Sequence, residues 1–179
     1  MLAEVDDLQA RARRVRLLLL DVDGVLTDGT VSIDTSGGEA KQFFIRDGIS
    51  LIWARRAGVN AGLLSGRASA TTTRRAAELG ISIVWQGGPD KRIGYADILS
   101  THGYDDRDVA YMGDDVLDLP VLGRVGLSAA PADAVDDVRA RVHWVSQHCG
   151  GRGAVRELVE LVLRAQGQWD PIVTSFLTP

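Results

Sequence analysis

Short apolar runs alternate with helix-like stretches along most of the chain, and this alternation constrains the fold more than any other feature. The apolar runs are predicted to be buried strands; they are Arg16–Leu20, Val59–Leu64, Ile81–Val84, Val109–Met112, Val125–Leu127 and His143–Val145. The helical patterns lie near Ile49–Ala57, Ala68–Leu79, Lys91–His102, Leu117–Leu122, Ala134–Ala140 and Gly153–Ala165. The alternation predicts an α/β fold with a doubly wound, mainly parallel sheet and helices on both faces.

One segment interrupts this pattern. Thr30–Ile33 and Ala40–Ile45 alternate like strands on either side of Asp34–Gly38, which predicts a β-hairpin. We expect a β-hairpin flap over residues 28–46, projecting above the carboxyl end of the first strand. No other insertion is large enough for a separate cap domain. The chain, residues 1–179, is therefore predicted to be a single domain that ends in an apolar tail over residues 167–179.

Composition excludes several classes of protein. The net charge of −4 argues against a general nucleic-acid binder that relies on phosphate attraction. No apolar run approaches the roughly 20 residues of a membrane span, and the charged first residues lack the pattern of a secretory signal. We therefore expect a cytoplasmic protein. Cys149 is the single cysteine, so no internal disulfide forms, and we expect it to be buried and structural.

The strongest local signal is Asp21–Gly29, which begins where the first apolar strand stops. Two carboxylates at i and i+2 at a strand end can converge on one side, and Gly24 permits a sharp turn. Such close carboxylates repel each other unless a cation lies between them or one is protonated. The segment predicts a bound metal ion, although a capped turn with solvated acids is the simpler alternative.

Three weaker signals follow other predicted strands. Ser65-Gly66-Arg67 offers a hydroxyl and backbone N–H groups to a phosphate, Lys91 begins a helix, and Asp114-Asp115 follow Met112-Gly113. Taken singly, an N-cap, a solvated lysine and solvated acids would explain them. Because the carboxyl ends of parallel strands share one edge of a sheet, all of these groups can meet at one site.

In these motifs the chain resembles the haloacid dehalogenase (HAD) superfamily of phosphohydrolases, and more narrowly its branch that acts on sugar-acid phosphates. The resemblance covers essentially the whole chain and implies an HAD-like, Rossmannoid fold. The segments that carry it are Asp21–Gly29, Phe44–Gly48, Ser65–Arg67, Gln86–Lys91, Tyr111–Asp115 and Gly150–Glu157.

The resemblance implies a Mg²⁺-dependent phosphomonoester hydrolase that works through an aspartyl-phosphate. Asp21 is expected to be the nucleophile and Asp23 the general acid and base, while Ser65 and Lys91 bind the phosphoryl group. The metal ligands are expected to be Asp21, the backbone carbonyl of Asp23 and Asp114, with Asp115 holding a metal-bound water or orienting Asp114. We expect Asp118 to lie behind these ligands at most and not to contact the metal ion.

The substrate implied is a sugar-acid phosphate, most specifically 3-deoxy-D-manno-octulosonate 8-phosphate. Arg67 is the expected reader of its carboxylate, because guanidinium–carboxylate pairing is bidentate and directional. The other expected substrate-binding residues are Thr27, Gly66, Arg46 and Arg152, and the backbone of Gly150–Gly153 is expected to face an anion. The resemblance also implies a homotetramer that forms through the flaps, with the tail of each chain near a neighbouring active site.

Three alternatives remain open on the sequence. A phosphatase for a nonulosonate 9-phosphate or another small phosphate shares the same machinery. A signalling receiver domain also combines an acidic Mg²⁺ site, an aspartate, a hydroxyl and a lysine, but its acid pair precedes the phosphorylated aspartate. A non-catalytic assembly module with this fold would be expected to have lost Asp21, Asp23, Lys91 or Asp114, and all four are present.

Overall fold

The computed structural model describes residues 2–177, with side chains from residue 7 onward. Six parallel strands form one sheet, and two very short strands form a separate antiparallel ribbon. The strands are β1 (Leu17–Leu20), β2 (Ser32–Ile33), β3 (Glu39–Ala40), β4 (Asn60–Ser65), β5 (Ile83–Gln86), β6 (Val109–Met112), β7 (Leu127–Ala130) and β8 (Trp144–Val145). The order in the sheet is β5-β4-β1-β6-β7-β8.

Eight α-helices connect or flank these strands. They are α1 (Leu2–Arg14), α2 (Ile45–Arg56), α3 (Ala70–Glu78), α4 (Lys91–His102), α5 (Leu119–Leu122), α6 (Asp136–Arg139), α7 (Ala154–Ala165) and α8 (Trp169–Ser175). Two 3₁₀ turns, Asp106–Asp108 and Val116–Asp118, precede β6 and α5. The predicted α/β class, with helices on both faces of a parallel sheet, is confirmed.

The four leucines of β1 show why the sheet is covered on both faces. Leu18 and Leu20 pack into the core on one side, with α2, α3 and α7. Leu17 and Leu19 pack into the core on the other side, with α4 and α5. Successive strand residues point to opposite faces, so an unbroken apolar run is the sequence of a strand that is buried twice.

The connections place the ligand-binding edge beside β1. From β1 the chain moves outward to β4 and β5, and then returns across β1 to β6, which pairs with β1 on its other side. The strand order therefore reverses between β1 and β6. Open α/β sheets bind ligands at the carboxyl edge of such a reversal, and Asp21 and Asp114 follow these two strands.

The hairpin is smaller than the sequence pattern predicts. Its strands pair Ser32 with Ala40 and Ile33 with Glu39. The expected strand Ala40–Ile45 is wrong beyond Ala40, because α2 begins at Ile45 and includes Arg46. The alternating apolar and polar residues of this segment form an extended connection that is not part of a sheet. This connection packs Phe43 against the core.

Both ends of the chain contain helices that the sequence patterns did not predict. Helix α1 places Ala12 in the core, and α8 brings Trp169 against Trp53 of α2, with ring centroids 5.9 Å apart. The apolar tail thus folds back on its own chain, and its last two residues lie outside the described range. Cys149 is exposed, so the expectation of a buried cysteine is wrong. Within residues 2–177 no helix is both long and apolar enough to cross a membrane.

Candidate active site

The loop after β1 carries Asp21 into the edge of the sheet. The Asp21 N–H donates to the Met112 carbonyl at 3.0 Å, which continues the β1–β6 pairing by one residue. The Asp21 side chain is buried, and its Oδ1 accepts from the Val22 N–H at 2.7 Å. Gly24 has φ +86°, and a Cβ at this position would collide with the Asp114 carboxylate. The glycine in the motif is therefore required both by the turn and by the approach of Asp114.

The glycine-rich segment Gly150–Gly153 supports this loop from below. A Cβ at Gly150 would collide with the Gly24 carbonyl oxygen. Each of the four backbone N–H groups of the segment already donates to the protein; the acceptors belong to Asp133, Val25, Cys149 and Asp47. The expectation that these N–H groups face a bound anion is therefore wrong, because close packing accounts for the glycines.

Lys91 occupies the centre of the site. It is the first residue of α4, whose N-cap is Asp90, and its side chain is buried. The Lys91 ammonium lies 2.7 Å from Asp21 Oδ2 and 2.6 Å from Asp118 Oδ1. Burial alone would lower the pKa of Lys91, but the two carboxylates outweigh it and raise the pKa. Lys91 is therefore a fixed cation beside the expected nucleophile.

Asp118 organises this corner of the site, a role that the sequence suggested only weakly. It is fully buried. Its Oδ1 accepts from Lys91 and, at 2.5 Å, from the Tyr111 hydroxyl. Its Oδ2 accepts from the backbone N–H groups of Asp114 and Asp115, at 2.9 and 3.2 Å. With both oxygens occupied, Asp118 positions Lys91 and the Asp114 loop and has little capacity left for a metal ion.

The electrostatics of the cluster favour a divalent cation. Carboxylate oxygens of Asp21, Asp114 and Asp118 lie within 4.8 Å of one another. Burial, followed by repulsion from Asp118, raises the pKa of Asp21 to about 6. Burial, followed by repulsion from Asp21 and Asp118, raises the pKa of Asp114 to about 7. Lys91 offsets one of three negative charges, and hard oxygen donors suit Mg²⁺, so Asp21 and Asp114 fit the ion, with Asp118 adding negative charge behind them.

Asp23 and Asp115, the other two expected metal residues, line the cleft but take different contacts. Asp23 Oδ1 is buried without a hydrogen bond and lies 2.7 Å from the ammonium of Lys41. Asp115 is exposed, and its carboxylate accepts from the N–H of Val116 at the start of the following turn. That either residue takes part in metal binding stays a prediction.

The loop after β4 presents the expected phosphate cradle. The Ser65 side chain is buried, with its hydroxyl donating to the Arg67 carbonyl at 3.2 Å and accepting from the Arg67 N–H at 3.3 Å. This hydrogen-bonded turn places Gly66 in the wall of the cleft, and Arg67 lies there too. The Arg67 guanidinium is bound by a flap residue, Glu39 Oε2, at 2.6 Å.

Glu39 and Lys41 are the contacts that sequence reasoning missed. The side chain of Lys41 is fully buried between Asp23 and the N-terminal part of α3, where it donates to Thr72 Oγ1 at 3.4 Å. The two residues stand on either side of Ala40, but Glu39 precedes the expected strand Ala40–Ile45 and Lys41 follows β3. The hairpin pattern therefore contained no specific signal for these ionic contacts.

Three expected substrate-binding residues lie outside the acidic cleft. Thr27 is fully buried, and its hydroxyl donates to the Val22 carbonyl and accepts from the Gly29 N–H. Arg46 and Arg152 line a separate pocket of about 680 Å³ beside His148, and Arg152 lies 3.3 Å from Asp28. Within the described residues of one chain, Arg67 and Gly66 are therefore the only two of the five expected substrate-binding residues that line the cleft.

The cleft itself has a volume of about 500 Å³, which is within the usual range for a small-molecule site. It brings together the carboxylates that follow β1 and β6, the lysine of α4 and the loop after β4. The sequence-predicted residues in its wall are Asp21, Asp23, Ser65, Gly66, Arg67, Lys91, Asp114 and Asp115. One concave site therefore combines a buried aspartate, a fixed cation, an acid cluster that could hold a metal ion and an exposed guanidinium.

Comparisons with known proteins agree with this site. No protein-family model matches the chain. The chain is 42% identical over 164 residues to the 3-deoxy-D-manno-octulosonate 8-phosphate phosphatase KdsC of Escherichia coli K12, covering 92% of this chain and 87% of that protein. It is similar to the crystal structure of the phosphatase of the same name from Yersinia pestis, with a TM-score of 0.91, 40% identity, and 92% and 89% of the two chains covered.

A third relative was solved with ligands. The structure of the Moraxella catarrhalis 3-deoxy-D-manno-octulosonate 8-phosphate phosphatase in complex with a magnesium ion, a phosphate ion and a KDO molecule has a TM-score of 0.93 at 34% identity. The match covers 96% of this chain and 98% of that one.

Proposed function

Since the chain belongs to the 3-deoxy-D-manno-octulosonate 8-phosphate phosphatase family of the HAD superfamily, we propose that it hydrolyses that phosphomonoester to the free sugar acid and phosphate, with Mg²⁺ as its cofactor. The observation that carries the proposal is the ion pair of Asp21 with Lys91, set beside the Asp114 carboxylate and within the same cleft as Arg67. The whole chain acts as one domain, with the flap as its lid.

In the first step, an oxygen of the Asp21 carboxylate attacks phosphorus in line with the ester oxygen. The P–O ester bond breaks, an aspartyl-phosphate forms on Asp21, and Asp23 gives a proton to the leaving alkoxide. Lys91 is already 2.7 Å from the attacking carboxylate, so it stabilises negative charge on the phosphoryl oxygens without reorganisation. The Ser65 hydroxyl binds another of these oxygens.

In the second step, a water molecule attacks the aspartyl-phosphate, and the Asp23 carboxylate takes the proton of that water. This releases phosphate and restores the Asp21 carboxylate. General acid–base assistance of this kind contributes about 10²- to 10⁴-fold. Asp21, the Asp23 carbonyl and Asp114 would hold Mg²⁺, with Asp115 beside them. When bound, the ion supplies charge neutralisation between the phosphate dianion and the carboxylates.

Substrate selection is assigned to Arg67. Its guanidinium is exposed at the rim of the cleft, where a carboxylate at the far end of a phosphorylated sugar acid can reach it. A planar fork of N–H donors pairs with a carboxylate through two parallel hydrogen bonds. A nonulosonate 9-phosphate or another small phosphate is the alternative substrate, because the open cleft alone fixes only the phosphate end.

The relatives are phosphoric monoester hydrolases by name, which decides against a receiver domain and a non-catalytic assembly module. We further propose a cytoplasmic homotetramer. The exposed side chains of Ile33 in the flap and Ile45 at the start of α2 offer apolar surface for contacts between subunits. Arg46 and Arg152 would contact substrate only in such an assembly. The expected approach of the tail to a neighbouring site does not fit α8, which packs on α2 of its own chain.

The experiment is phosphate release, with Mg²⁺, from a panel of phosphomonoesters. The panel contains octulosonate 8-phosphate, a nonulosonate 9-phosphate, hexose phosphates and an aryl phosphate, and Asp21→Asn serves as the inactive control. Strong preference for the octulosonate ester, abolished in the control, is the expected result. Equal, weak turnover of every ester would keep the phosphatase and remove the assigned substrate. Absence of Mg²⁺-dependent turnover in the folded protein would contradict the proposal as a whole.

A further inference from the structure

The guanidinium assigned to the substrate carboxylate is already paired with a carboxylate of the protein. Arg67 Nη2 lies 2.6 Å from Glu39 Oε2, and the arginine side chain is 42% exposed while that of Glu39 is 20% exposed. Arg67 stands on the loop after β4, whereas Glu39 stands on β3 of the flap. The ion pair therefore joins the flap to the loop after β4 at the rim of the cleft, where the far end of a substrate would arrive on the proposed function.

Glu39 is held for this contact by other residues. The Ser69 hydroxyl donates to Glu39 Oε1 at 2.5 Å, and the Thr71 hydroxyl donates to the Glu39 carbonyl at 3.3 Å. Ser69 is the N-cap of α3, a fixed element of the fold. The hydrogen bond from Ser69 and the nearby cations lower the pKa of Glu39, so it presents a carboxylate. Since Oε1 is occupied by Ser69, Oε2 is the oxygen that faces Arg67.

We infer that Glu39 is a placeholder carboxylate, which occupies Arg67 in the free chain and is displaced by the carboxylate of the substrate. The inference rests on the proposed function, because it requires that Arg67 read a carboxylate. Displacement exchanges one guanidinium–carboxylate pair for another. A phosphate ester without a carboxylate has nothing to exchange, so it leaves the pair between Glu39 and Arg67 closed.

The surroundings of Glu39 make the exchange feasible. After Arg67 leaves, Oε1 keeps its hydrogen bond from Ser69, and the Lys41 ammonium lies 3.9 Å away. A carboxylate left without a partner would be costly, but Glu39 retains a hydroxyl donor and a nearby cation. Lys41 is also the residue that contacts Asp23, so the placeholder and the expected acid–base group share one lysine.

The opposite role for Glu39 predicts the opposite result. If Glu39 only orients Arg67 towards the substrate, its removal weakens binding of a sugar-acid phosphate. If Glu39 competes for Arg67, its removal strengthens that binding. Because the loss of any acid near the cleft also favours a phosphate dianion in general, the informative quantity is the ratio between a substrate with a carboxylate and one without.

The test compares Glu39→Gln with the unchanged chain, using octulosonate 8-phosphate and a hexose 6-phosphate as the pair of substrates. We expect KM for the sugar-acid phosphate to fall about 2- to 5-fold relative to KM for the hexose phosphate, the range of an exposed ion pair. Glu78→Gln is the matched control, since Glu78 is an exposed acid of α3 that pairs with Arg75. It removes the same charge and should leave the ratio unchanged.

A parallel Arg67→Met variant separates the two proposals. If Arg67→Met abolishes the preference for the sugar-acid phosphate but Glu39→Gln does not raise it, the placeholder role is wrong and the proposed function stands. If Arg67→Met leaves the preference intact, Arg67 does not read the carboxylate, and both that assignment and the placeholder role are wrong. In the double variant the gain from Glu39→Gln must disappear; a gain that persists would overturn the inference.

Discussion

The base of the cleft and the flap above it hold their charges in opposite ways. At the base, Asp21, Lys91 and Asp118 are buried at the carboxyl edge of β1 and β6, and carboxylates outnumber the ammonium. In the flap, Glu39 and Lys41 are balanced by Arg67 and Asp23, β2 is exposed and β3 is partly exposed. The base is buried and electrostatically unfavourable, while the flap has little regular structure and its charges are paired.

This contrast separates two tasks of a phosphatase: binding the phosphoryl group, at the base, and admitting the rest of the substrate, at the flap. Like charges can be held together in the base because two apolar cores, on either face of β1, fix the strands beneath them. A divalent cation relieves that repulsion, so the base gains most when the cation binds. The flap has no core of its own, and a two-stranded ribbon is marginal in water. The ion pairs of the flap with Asp23 and Arg67 therefore determine the position of the flap. A charged group of a ligand can replace one partner of such a pair.

The largest expected effect is that of Asp118→Asn in the base. An amide has a single oxygen, so it cannot accept from both Lys91 and Tyr111 on one side and the Asp114 loop on the other. We expect kcat to fall about 10²- to 10³-fold, as for other losses of an oriented charge in an active site. Steady-state turnover of an aryl phosphate measures it. A fall of less than about threefold would mean that Lys91 needs no positioning partner.

The second prediction concerns pH and metal. The pKa of Asp21 is raised to about 6 and that of Asp114 to about 7, so the folded chain binds more protons than the unfolded chain between these values and the ordinary value of 3.8. The free energy of unfolding of the metal-free protein therefore falls as pH rises from about 4 to about 7. Urea unfolding with a chelator measures this loss.

Mg²⁺ should remove most of that loss, because the cation favours the ionised carboxylates. The variant Asp21→Asn is the control, since it deletes one of the repelling charges and should flatten the pH dependence of the metal-free chain. Stability that is equally pH-dependent with and without Mg²⁺ would show that the cluster does not bind the ion.

The third prediction is for Lys41 in the flap. Replacement by methionine keeps the length and apolar stem of the side chain and removes the ammonium beside Asp23. We expect kcat to fall roughly tenfold through loss of Asp23 positioning, a small part of the about 10²- to 10⁴-fold that acid–base assistance contributes. Stability should also fall, because Lys41 is buried and its ammonium is the cation beside the buried Asp23 Oδ1. Lys41→Arg, which keeps the charge, should recover part of kcat; equal loss in both variants would indicate packing and not charge.

The smallest effect is expected at the tip of the flap. The Asp34 carboxylate accepts from the N–H groups of Ser36 and Gly38, both at 2.8 Å, and thereby shapes the turn. Asp34→Ala should cost less than about 1 kcal/mol of stability and change kcat/KM by less than about threefold. Thermal unfolding and turnover measure both. An effect as large as that of Asp118→Asn would contradict the contrast between base and flap.

Sequence patterns predicted β1, β4 and β6 to within one residue, because their cause is local. The prediction was wrong for two others: β5 lies two residues later than Ile81–Val84, and Val125–Leu127 overlaps β7 only at Leu127. Leu17–Leu20 and Val109–Met112 are unbroken apolar runs, and each ends at or just before an acid or a glycine. The hairpin was overestimated because alternation over Ala40–Ile45 reflects contacts with the core and helix α3, which no period records. Helix α1 was missed because its early residues mix acids and arginines. Helix α8 was missed because the edge-to-face contact of Trp169 with Trp53 joins residues far apart in the chain.

The candidate site divides in the same way. The motifs around Asp21, Ser65, Lys91 and Asp114 could be assigned to one edge of a sheet, because parallel strands share their carboxyl ends. Asp118 could not be ranked above a solvated helix acid, since its burial beneath Lys91 and Tyr111 depends on how α4 packs against β6. The sequence of Gly150–Gly153 predicted an anion-binding loop. The close approach of Gly150 to Gly24 shows instead that this segment supports the loop after β1.

The class of fold, the order of the site residues along the chain and the chemistry that such residues can perform all follow from the amino-acid sequence. Those properties follow from periodicity and from side-chain types, which are local. The tertiary structure alone decided which charges meet: Lys91 with Asp118, Lys41 with Asp23, and Arg67 with Glu39. Those pairs join separate elements across the cleft, and their geometry follows from how the helices and the flap pack on the sheet.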